Sequence, residues 1–155
     1  MTKSQATDWD LECRAHLTPM FAYAAAVVLV VAHIAIGVVL KIGSSGVVFQ
    51  TADQVAMAVL GVVLAGLALL FTRPRLRVGA AGLSVRNVFS DKLIPWGDVV
   101  GVSFPVGSRW ARVDLPDDEY IPIMAIQAVD KERAVHAMDA VREQLARYRP
   151  DLHAH

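Results

Sequence analysis

Two long apolar runs constrain this chain more than any other feature. They extend from Met20 to Leu40 and from Ala52 to Phe71, and a short segment rich in glycine and serine joins them. A helix crosses about 30 Å of hydrocarbon with about 20 residues, so each run is long enough to span a membrane. The sequence therefore predicts a transmembrane hairpin over residues 19–72, with spans at about 20–40 and 52–71.

The basic residues near the span ends predict the orientation of this hairpin. The segment that connects the two runs carries only Lys41. The opposite side carries Lys3, Arg14, Arg73, Arg75, Arg77 and Arg86. Cytoplasmic loops are enriched in Lys and Arg, so we expect a multi-pass protein of the plasma (inner) membrane with both termini cytoplasmic. A cleaved signal peptide is the alternative for the first run, but Asp8, Asp10 and Glu12 crowd its charged end.

The length leaves room for one small soluble domain. The chain has 155 residues and a formal net charge of zero. We expect an N-terminal cytoplasmic segment (1–18), the hairpin, a soluble domain of roughly 75 residues (73–149) and a short tail (150–155). The single Cys13 excludes a disulfide within one chain, and we expect a reduced thiol there.

Past Phe71 the hydrophobic period changes from that of helices to that of strands. Short β-prone runs with turn residues between them cover 76–78, 83–89, 92–96, 99–104, 109–115 and 120–124. From Asp130, a plausible N-cap, apolar residues then recur at helical spacing until Pro150. These apolar residues are Val135, Met138, Val141, Leu145 and Tyr148. The fold class predicted is therefore a membrane α-helical hairpin plus an α+β domain, in which a small antiparallel sheet is closed by a C-terminal helix.

The segment before the first span also has a strand pattern. Trp9, Leu11, Cys13 and Ala15 alternate with polar residues, which is a period of two. Both termini are expected on one side of the membrane, so we predict that this segment adds a strand to the soluble domain. A disordered leader is the alternative.

The soluble part resembles the bacterial pleckstrin-homology-like (PH-like) domains from Arg75 to Tyr148. The resemblance rests on Gly82 to Val85, on Ile94 to Val100 with Trp96 and Asp98, and on Trp110 to Arg112 before the last helix. It is closest to the PH domain of the low molecular weight protein antigen 6 family of actinobacteria, in which a transmembrane hairpin precedes such a domain. The resemblance implies a bent antiparallel sheet or barrel capped by a helix, and no enzymatic activity. A full barrel has more strands than the soluble part alone supplies, so either the Trp9 to His16 segment completes it or the barrel is truncated.

Three signature residues are predicted to be structural. Trp96 at the end of a strand can cover one end of a small barrel while its indole N–H donates to a backbone carbonyl. Asp98 after Gly97 suits a turn, where its carboxylate can accept from backbone N–H groups. Trp110 shares one face of its strand with Arg112, opposite Ala111 and Val113.

The basic cluster Arg73, Arg75 and Arg77 has two interpretations. In the first, basic residues form a phosphate pocket of the kind that eukaryotic PH domains use, and these residues are Arg75, Arg77, Arg86 and Lys92. Alternatively, juxtamembrane arginines attract anionic headgroups by about 1 kcal/mol each without any pocket. We favour the second interpretation.

His33 is an ionisable residue within a predicted span. Such residues are costly in hydrocarbon and either mark function or face protein. The second run, from Val55 to Phe71, offers it no polar side chain. We expect a neutral His33 accommodated locally, with contact to another chain, including a second copy of this one, as the alternative.

No other group of residues has the spacing of a catalytic or metal site. The acidic run Asp117, Asp118 and Glu119 fits a solvated turn better than a metal site. We predict a non-enzymatic adaptor without a cofactor or metal, which binds a protein partner or membrane lipids and no nucleic acid. The alternative is a small oligomeric transport or channel component, or an accessory subunit of a membrane complex, with the hairpin arranged around His33.

Overall fold

The computed structural model of the protein describes residues 9–42 and 50–153, which fall into two compact units. The first, here the sheet unit, combines the residues up to Leu17 with those from Arg73 onward. The second, the hairpin unit, is Thr18–Thr72. Residues 43–49, where the external turn is predicted, lie outside the described residues, as do 1–8 and 154–155.

The described part of the sheet unit contains seven strands in two antiparallel sheets. The first sheet has the order β1-β2-β3-β4 and the second the order β5-β6-β7. The strands of the first are β1 (Trp9–Arg14), β2 (Arg75–Gly79), β3 (Gly82–Arg86) and β4 (Asp91–Ile94). Those of the second are β5 (Gly101–Ser103), β6 (Trp110–Asp114) and β7 (Tyr120–Gln127). The C-terminal helix, Glu132–Tyr148, packs on them, which confirms the predicted fold class of apolar helices and a helix-capped antiparallel sheet.

The helical hairpin is inserted between the first and second strands of the first sheet. β1 pairs antiparallel with β2, so that Glu12 lies opposite Arg77 and Cys13 opposite Leu76. The period of two in the N-terminal segment thus corresponds to an edge strand, which leads directly into the first apolar helix. The sheet unit is therefore discontinuous in sequence.

Strand alternation places the core between the two sheets and the C-terminal helix. In β2 and β3, Leu76, Val78, Leu83 and Val85 point inward and are buried, and their neighbours point outward. Ala111, Val113 and Ile123 of the second sheet are fully buried against them. Burial of apolar surface contributes about 25 cal/mol per Å², so this shared core is the main stabilising feature of the sheet unit.

Helix α1 (Leu17–Ile42) and helix α2 (Thr51–Leu69) form the hairpin, and a short 3₁₀ turn at Leu70–Thr72 ends it. Both helices are long and apolar enough to cross a membrane. Their buried residues are small, and most of their large apolar side chains are exposed. The Gln54 side chain donates to the carbonyl oxygen of Gly37 at 3.1 Å and so bonds one helix to the other.

The third helix, α3 (Glu132–Tyr148), begins two residues after the predicted N-cap. Asp130 lies in a 3₁₀ turn, and its carboxylate accepts hydrogen bonds from the backbone N–H groups of His16 at 3.1 Å and Leu17 at 3.0 Å. The N-cap interpretation of Asp130 for α3 was therefore wrong, because this carboxylate caps the start of α1 instead. Met138, Val141 and Leu145 of α3 face the core, as their spacing predicts, but Val135 is exposed.

Two strands end at least two residues earlier than the sequence predicts. β3 ends at Arg86 rather than Phe89, because the buried Asn87 side chain donates to the Pro122 carbonyl oxygen at 2.8 Å and accepts from Met124 N at 3.1 Å. These bonds attach Asn87 to β7 in place of the strand pairing of β3. β4 ends at Ile94, and Trp96 begins the 3₁₀ turn Trp96–Asp98 instead of ending a strand.

Candidate functional site

The outer face of the first sheet carries four arginines, which we call the basic face: Arg14, Arg75, Arg77 and Arg86. They are outward-facing because they alternate with the buried residues of β1, β2 and β3. The register aligns three of them, since Arg75 lies opposite Arg14 on one side and opposite Arg86 on the other. Residues directly opposite in neighbouring strands have Cβ atoms about 5 Å apart, so three cations form a row across the sheet.

Two carboxylates neutralise part of this charge. Glu12 accepts from Arg14 Nε at 2.6 Å and from Arg77 Nε at 2.8 Å. The hydrogen bond from Arg77, followed by that from Arg14, lowers the pKa of Glu12. Asp91 lies 3.9 Å from Arg86 Nε, which is an ion pair without a hydrogen bond. The basic face thus keeps a positive excess.

The guanidinium of Arg75, in the centre of the row, forms no hydrogen bond or ion pair with any described residue. Burial lowers the pKa of its guanidinium, and the charge of the neighbouring Arg77 lowers it further. Arg86 Nε is buried and also has no hydrogen-bond partner among the described residues. Leaving a buried donor unpaired costs about 1–3 kcal/mol. Both guanidiniums would therefore gain from an anion bound at this face.

Of the predicted cluster Arg73, Arg75 and Arg77, only Arg75 and Arg77 lie on the basic face. Arg73 precedes β2 and donates through Nη1 to the carbonyl oxygen of Val88 at 3.4 Å, in the turn between β3 and β4. Lys92 lies opposite Val85, whose side chain is in the core, so Lys92 is not on the same side of the sheet as Arg86. Arg14 joins the cluster instead. The alternation in the N-terminal segment indicated that Arg14 points outward. It did not indicate which strand pairs with β1.

His33 is accommodated within its own helix. Its Nδ1 donates to the carbonyl oxygen of Leu29 at 2.7 Å, which places the proton on that nitrogen. Gly61 of α2 lies beside it, and a Cβ built on this glycine would approach His33 Cβ to 2.7 Å. The glycine therefore makes room for the imidazole in the hairpin. The imidazole thus has a hydrogen-bond partner within its own helix.

The comparisons with known proteins identify the family of the sheet unit. A family model described as a bacterial PH domain matches residues 73–144. An uncharacterized protein of Mycobacterium bovis is 72% identical over 145 residues, which is 94% of each chain. Uncharacterized proteins of two Mycobacterium tuberculosis strains match with the same identity and coverage. Residues 73–144 form a domain of the bacterial PH domain family. No solved structure matches it significantly.

The PH domain model begins after the hairpin and therefore leaves β1 out of the matched segment. In the structure β1 is the outer strand of the first sheet and carries both Arg14 and Glu12 of the basic face. The N-terminal segment thus contributes to this PH domain both a strand and part of its candidate site.

Trp96 makes contacts within this PH domain, and Trp110 lies at the start of β6. The Trp96 indole donates to the Gly79 carbonyl oxygen at 2.9 Å, and its ring stacks on Tyr148 with centroids 5.0 Å apart. The Tyr148 hydroxyl in turn donates to Asp10 of β1, so α3, the first sheet and the Trp96 turn are tied together. Trp110 begins β6 beside a register shift, opposite Gln127.

Asp98 differs from its predicted role. Its backbone N–H donates to the Pro95 carbonyl oxygen at 3.0 Å, as a turn residue does. Its carboxylate is exposed and accepts no hydrogen bond from the described residues. The turn is instead fixed by Arg149, which donates to the carbonyl oxygens of Trp96 and Val99.

Proposed function

We propose that the protein is a non-enzymatic, membrane-anchored PH domain whose basic face binds anionic lipid headgroups at the cytoplasmic side of the plasma membrane. The row of Arg14, Arg75 and Arg86 carries this proposal, because carboxylates neutralise it incompletely and its central guanidinium has no described partner. Phosphate oxygens are good acceptors for such guanidinium groups.

The hairpin supplies the membrane anchor. Its helices expose large apolar side chains over 26 and 22 residues, counting the 3₁₀ turn with the second, and about 20 apolar residues suffice to span a bilayer. Lys41 is the one basic residue in the connecting region, whereas the other side has six near the span ends. This asymmetry supports cytoplasmic termini and a cytoplasmic PH domain.

The strands that carry the basic face adjoin the anchor along the chain. Arg14 ends β1 just before Leu17, where α1 begins, and Arg75 follows Thr72 after Arg73 and Pro74. Three extended residues span at most about 10 Å, so the chain itself keeps these arginines close to the span ends. That distance is comparable to the Debye length of about 10 Å at 0.1 M salt, within which headgroup attraction is effective.

The strand register sets the arginines side by side on the outer face of the sheet. We therefore propose an electrostatic patch, with salt-sensitive binding and little preference among headgroups of equal charge. The test uses a chain in which a short Gly/Ser linker replaces the hairpin and joins residues 9–17 to 73–153. Its folding is first checked by the fluorescence of its three tryptophans. Its binding is then measured on phosphatidylcholine vesicles with increasing phosphatidylglycerol.

We expect Arg75→Gln to cost about 1 kcal/mol of vesicle binding and Arg75→Lys to be nearly silent, because a diffuse attraction depends on charge and not on guanidinium geometry. Arg142→Gln is the matched control, since Arg142 is exposed on α3 beside Asp139. Loss of binding in Arg75→Lys would show a specific phosphate pocket. No binding of the unsubstituted chain to anionic vesicles would overturn the proposal.

Cysteine labelling in intact cells tests the topology. Cys13 is buried, and burial raises its pKa to about 11, so the native chain gives a low background. A membrane-impermeant reagent should label Ser45→Cys from outside and leave Ser4→Cys unlabelled. External labelling of Ser4→Cys would contradict cytoplasmic termini.

The transport alternative rests on His33, and no specific observation favours it. The imidazole is hydrogen-bonded to Leu29 in its own helix and packs on Gly61.

A further inference from the structure

We infer that the turn between β3 and β4, residues 87–90, inserts Phe89 into the interfacial layer of the bilayer that holds the hairpin. This inference rests on the proposed function and extends it, because it adds an apolar attachment point to the electrostatic one. The binding partner of this turn is a lipid surface.

Phe89 is presented to solvent by a rigid turn. Its side chain is 86% exposed, whereas the adjacent Val88 is buried. The turn is closed by the hydrogen bond from Asn87 N to the Ser90 carbonyl oxygen at 2.8 Å. The buried Asn87 side chain bonds to Pro122 and Met124 of β7 and fixes the base of the turn. An aromatic ring held outward in this way gains nothing from the core of its own domain.

The strand directions place this turn at the end of the sheet where the anchor is attached. β2 and β3 are antiparallel, and Arg86 at the end of β3 lies opposite Arg75 at the start of β2. The residues after Arg86 therefore extend past the start of β2, towards the segment that precedes it. The contact from Arg73 Nη1 to the Val88 carbonyl oxygen, at 3.4 Å, shows that the turn reaches that segment.

Arg73 directly follows Thr72, the last residue of the hairpin unit. The turn with Phe89 thus lies beside the first residue of the chain after the second predicted span. On the same sheet, Arg75 and Arg86 supply the positive charge that an anionic headgroup layer requires. Basic residues beside an exposed aromatic ring are the combination found in interfacial membrane anchors.

The opposite end of the same two strands provides a matched control. The β2–β3 turn at Ala80 and Ala81 is also exposed, but it lies at the far end of strands about 13 Å long. A tryptophan at Ala80 should therefore stay in water when a tryptophan at Phe89 enters the interface. Both substitutions are at exposed positions outside the core.

The experiment uses the full chain in nanodiscs of phosphatidylcholine and phosphatidylglycerol whose acyl chains carry bromine, which quenches tryptophan on contact. Phe89→Trp and Ala80→Trp are compared after subtracting the emission of the unsubstituted chain, which has Trp9, Trp96 and Trp110. We expect the added emission of Phe89→Trp to be blue-shifted and mostly lost to quenching. The added emission of Ala80→Trp should show no blue shift and no quenching.

Amide hydrogen exchange on the unsubstituted chain gives a second measurement. Residues 87–90 should exchange more slowly in anionic nanodiscs than in detergent, and Phe89→Asp should remove this difference. The insertion would be overturned if residues 87–90 exchange equally in nanodiscs and in detergent and the added tryptophan of Phe89→Trp is not quenched. Since salt-sensitive binding by the basic face is measured separately, that result would leave the proposed function standing. If the chain without the hairpin does not bind anionic vesicles, but the added tryptophan of Phe89→Trp is quenched in nanodiscs, only the electrostatic proposal is overturned.

Discussion

The sheet unit and the hairpin unit bury opposite kinds of side chain. In the sheet unit the fully buried residues are large and apolar, and they include Leu76, Leu83, Ile123 and Ile126. In the hairpin the buried residues are small. They are Ala22, Ala26, Gly37, Gly61 and Ala65. Large apolar side chains inside indicate a fold made in water, and small ones inside with large ones outside are typical of helices packed in lipid.

The sheet unit buries its large apolar side chains in its own core, whereas the hairpin unit leaves most of its large apolar side chains exposed. The hairpin helices approach each other through small residues and a side-chain bond from Gln54 to Gly37. The sheet unit depends on its shared core and on the pairing of β1 with β2 across the inserted hairpin. Variants with the same chemical change in both units test this difference.

Leucine truncation gives the largest expected contrast. Leu76 in β2 is 0% exposed and Leu67 in α2 is 52% exposed. We expect Leu76→Ala to cost the PH domain about 2–5 kcal/mol of unfolding free energy, because a buried leucine leaves a cavity. Leu67→Ala should cost much less. Chemical unfolding of the full chain in detergent checks both, with tryptophan fluorescence reporting the sheet unit and circular dichroism the helices.

If Leu67→Ala lowers the unfolding free energy as much as Leu76→Ala does, the contrast between the two units is wrong. That result would mean that protein and not lipid covers that face of α2.

Glycine substitution tests the packing of the hairpin. A Cβ on Gly61 would approach His33 Cβ to 2.7 Å, whereas a Cβ on Gly66 meets nothing within 4 Å. Gly61→Ala should therefore destabilise the helix pair by about 1–3 kcal/mol through overpacking. Gly66→Ala should be neutral or slightly stabilising, because alanine favours helix over glycine. Thermal loss of helical circular dichroism in detergent measures both changes, and equal behaviour of the two variants would show that the helices do not pack at Gly61.

Local patterns in the sequence predicted the elements of both units, but not the contacts that assemble the site. The change of period after Phe71 indicated strands, and the alternation from Trp9 indicated one more. Neither pattern states which strands pair. Arg14 joins the basic face only because β1 pairs with β2 in a register that sets Arg14 opposite Arg75.

The same reason explains the misplaced ends of β3 and α3. The run from Leu83 to Phe89 has strand propensity throughout, but bonds from Asn87 to β7 end the strand at Arg86 and leave Phe89 in a turn. Asp130 has the residue type of an N-cap, and its carboxylate serves a helix start more than a hundred residues earlier in the chain. Long-range hydrogen bonds decided both positions, and a single sequence does not reveal them.

A substitution of Asp130 tests the hydrogen bonds at His16 and Leu17. Asp130→Ala removes the acceptor of two backbone N–H groups, those of His16 and Leu17. Loss of such a cap costs about 1 kcal/mol. We expect a stability decrease of this size and faster hydrogen exchange at His16 and Leu17. Asp139→Ala is the control, since Asp139 is exposed and pairs only weakly with Arg142 at 3.5 Å; unchanged exchange at Leu17 in Asp130→Ala would rule out the cap.

The smallest expected effect concerns the charge that ties β1 to β2. The Arg77 hydrogen bond lowers the pKa of Glu12 from its ordinary value near 4.5, so the ionised form is favoured in the folded chain. Its stabilisation is complete above the unfolded-state pKa and is lost as the pH falls through the lower folded-state value. Because Glu12 and Arg77 are partly exposed, the loss should be a few tenths to about 1 kcal/mol.

Glu12→Gln should remove this part of the acid dependence. Unfolding of the full chain in detergent, followed by tryptophan fluorescence from neutral pH to below 4.5, should therefore show a shallower acid decline in Glu12→Gln than in the unsubstituted chain. Glu143→Gln on α3 is the control and should keep the original slope. High salt should shrink the difference, since it screens exposed ion pairs. Identical slopes in Glu12→Gln and the unsubstituted chain would mean that backbone pairing and the core alone hold β1 on the sheet, with no measurable contribution from the carboxylate.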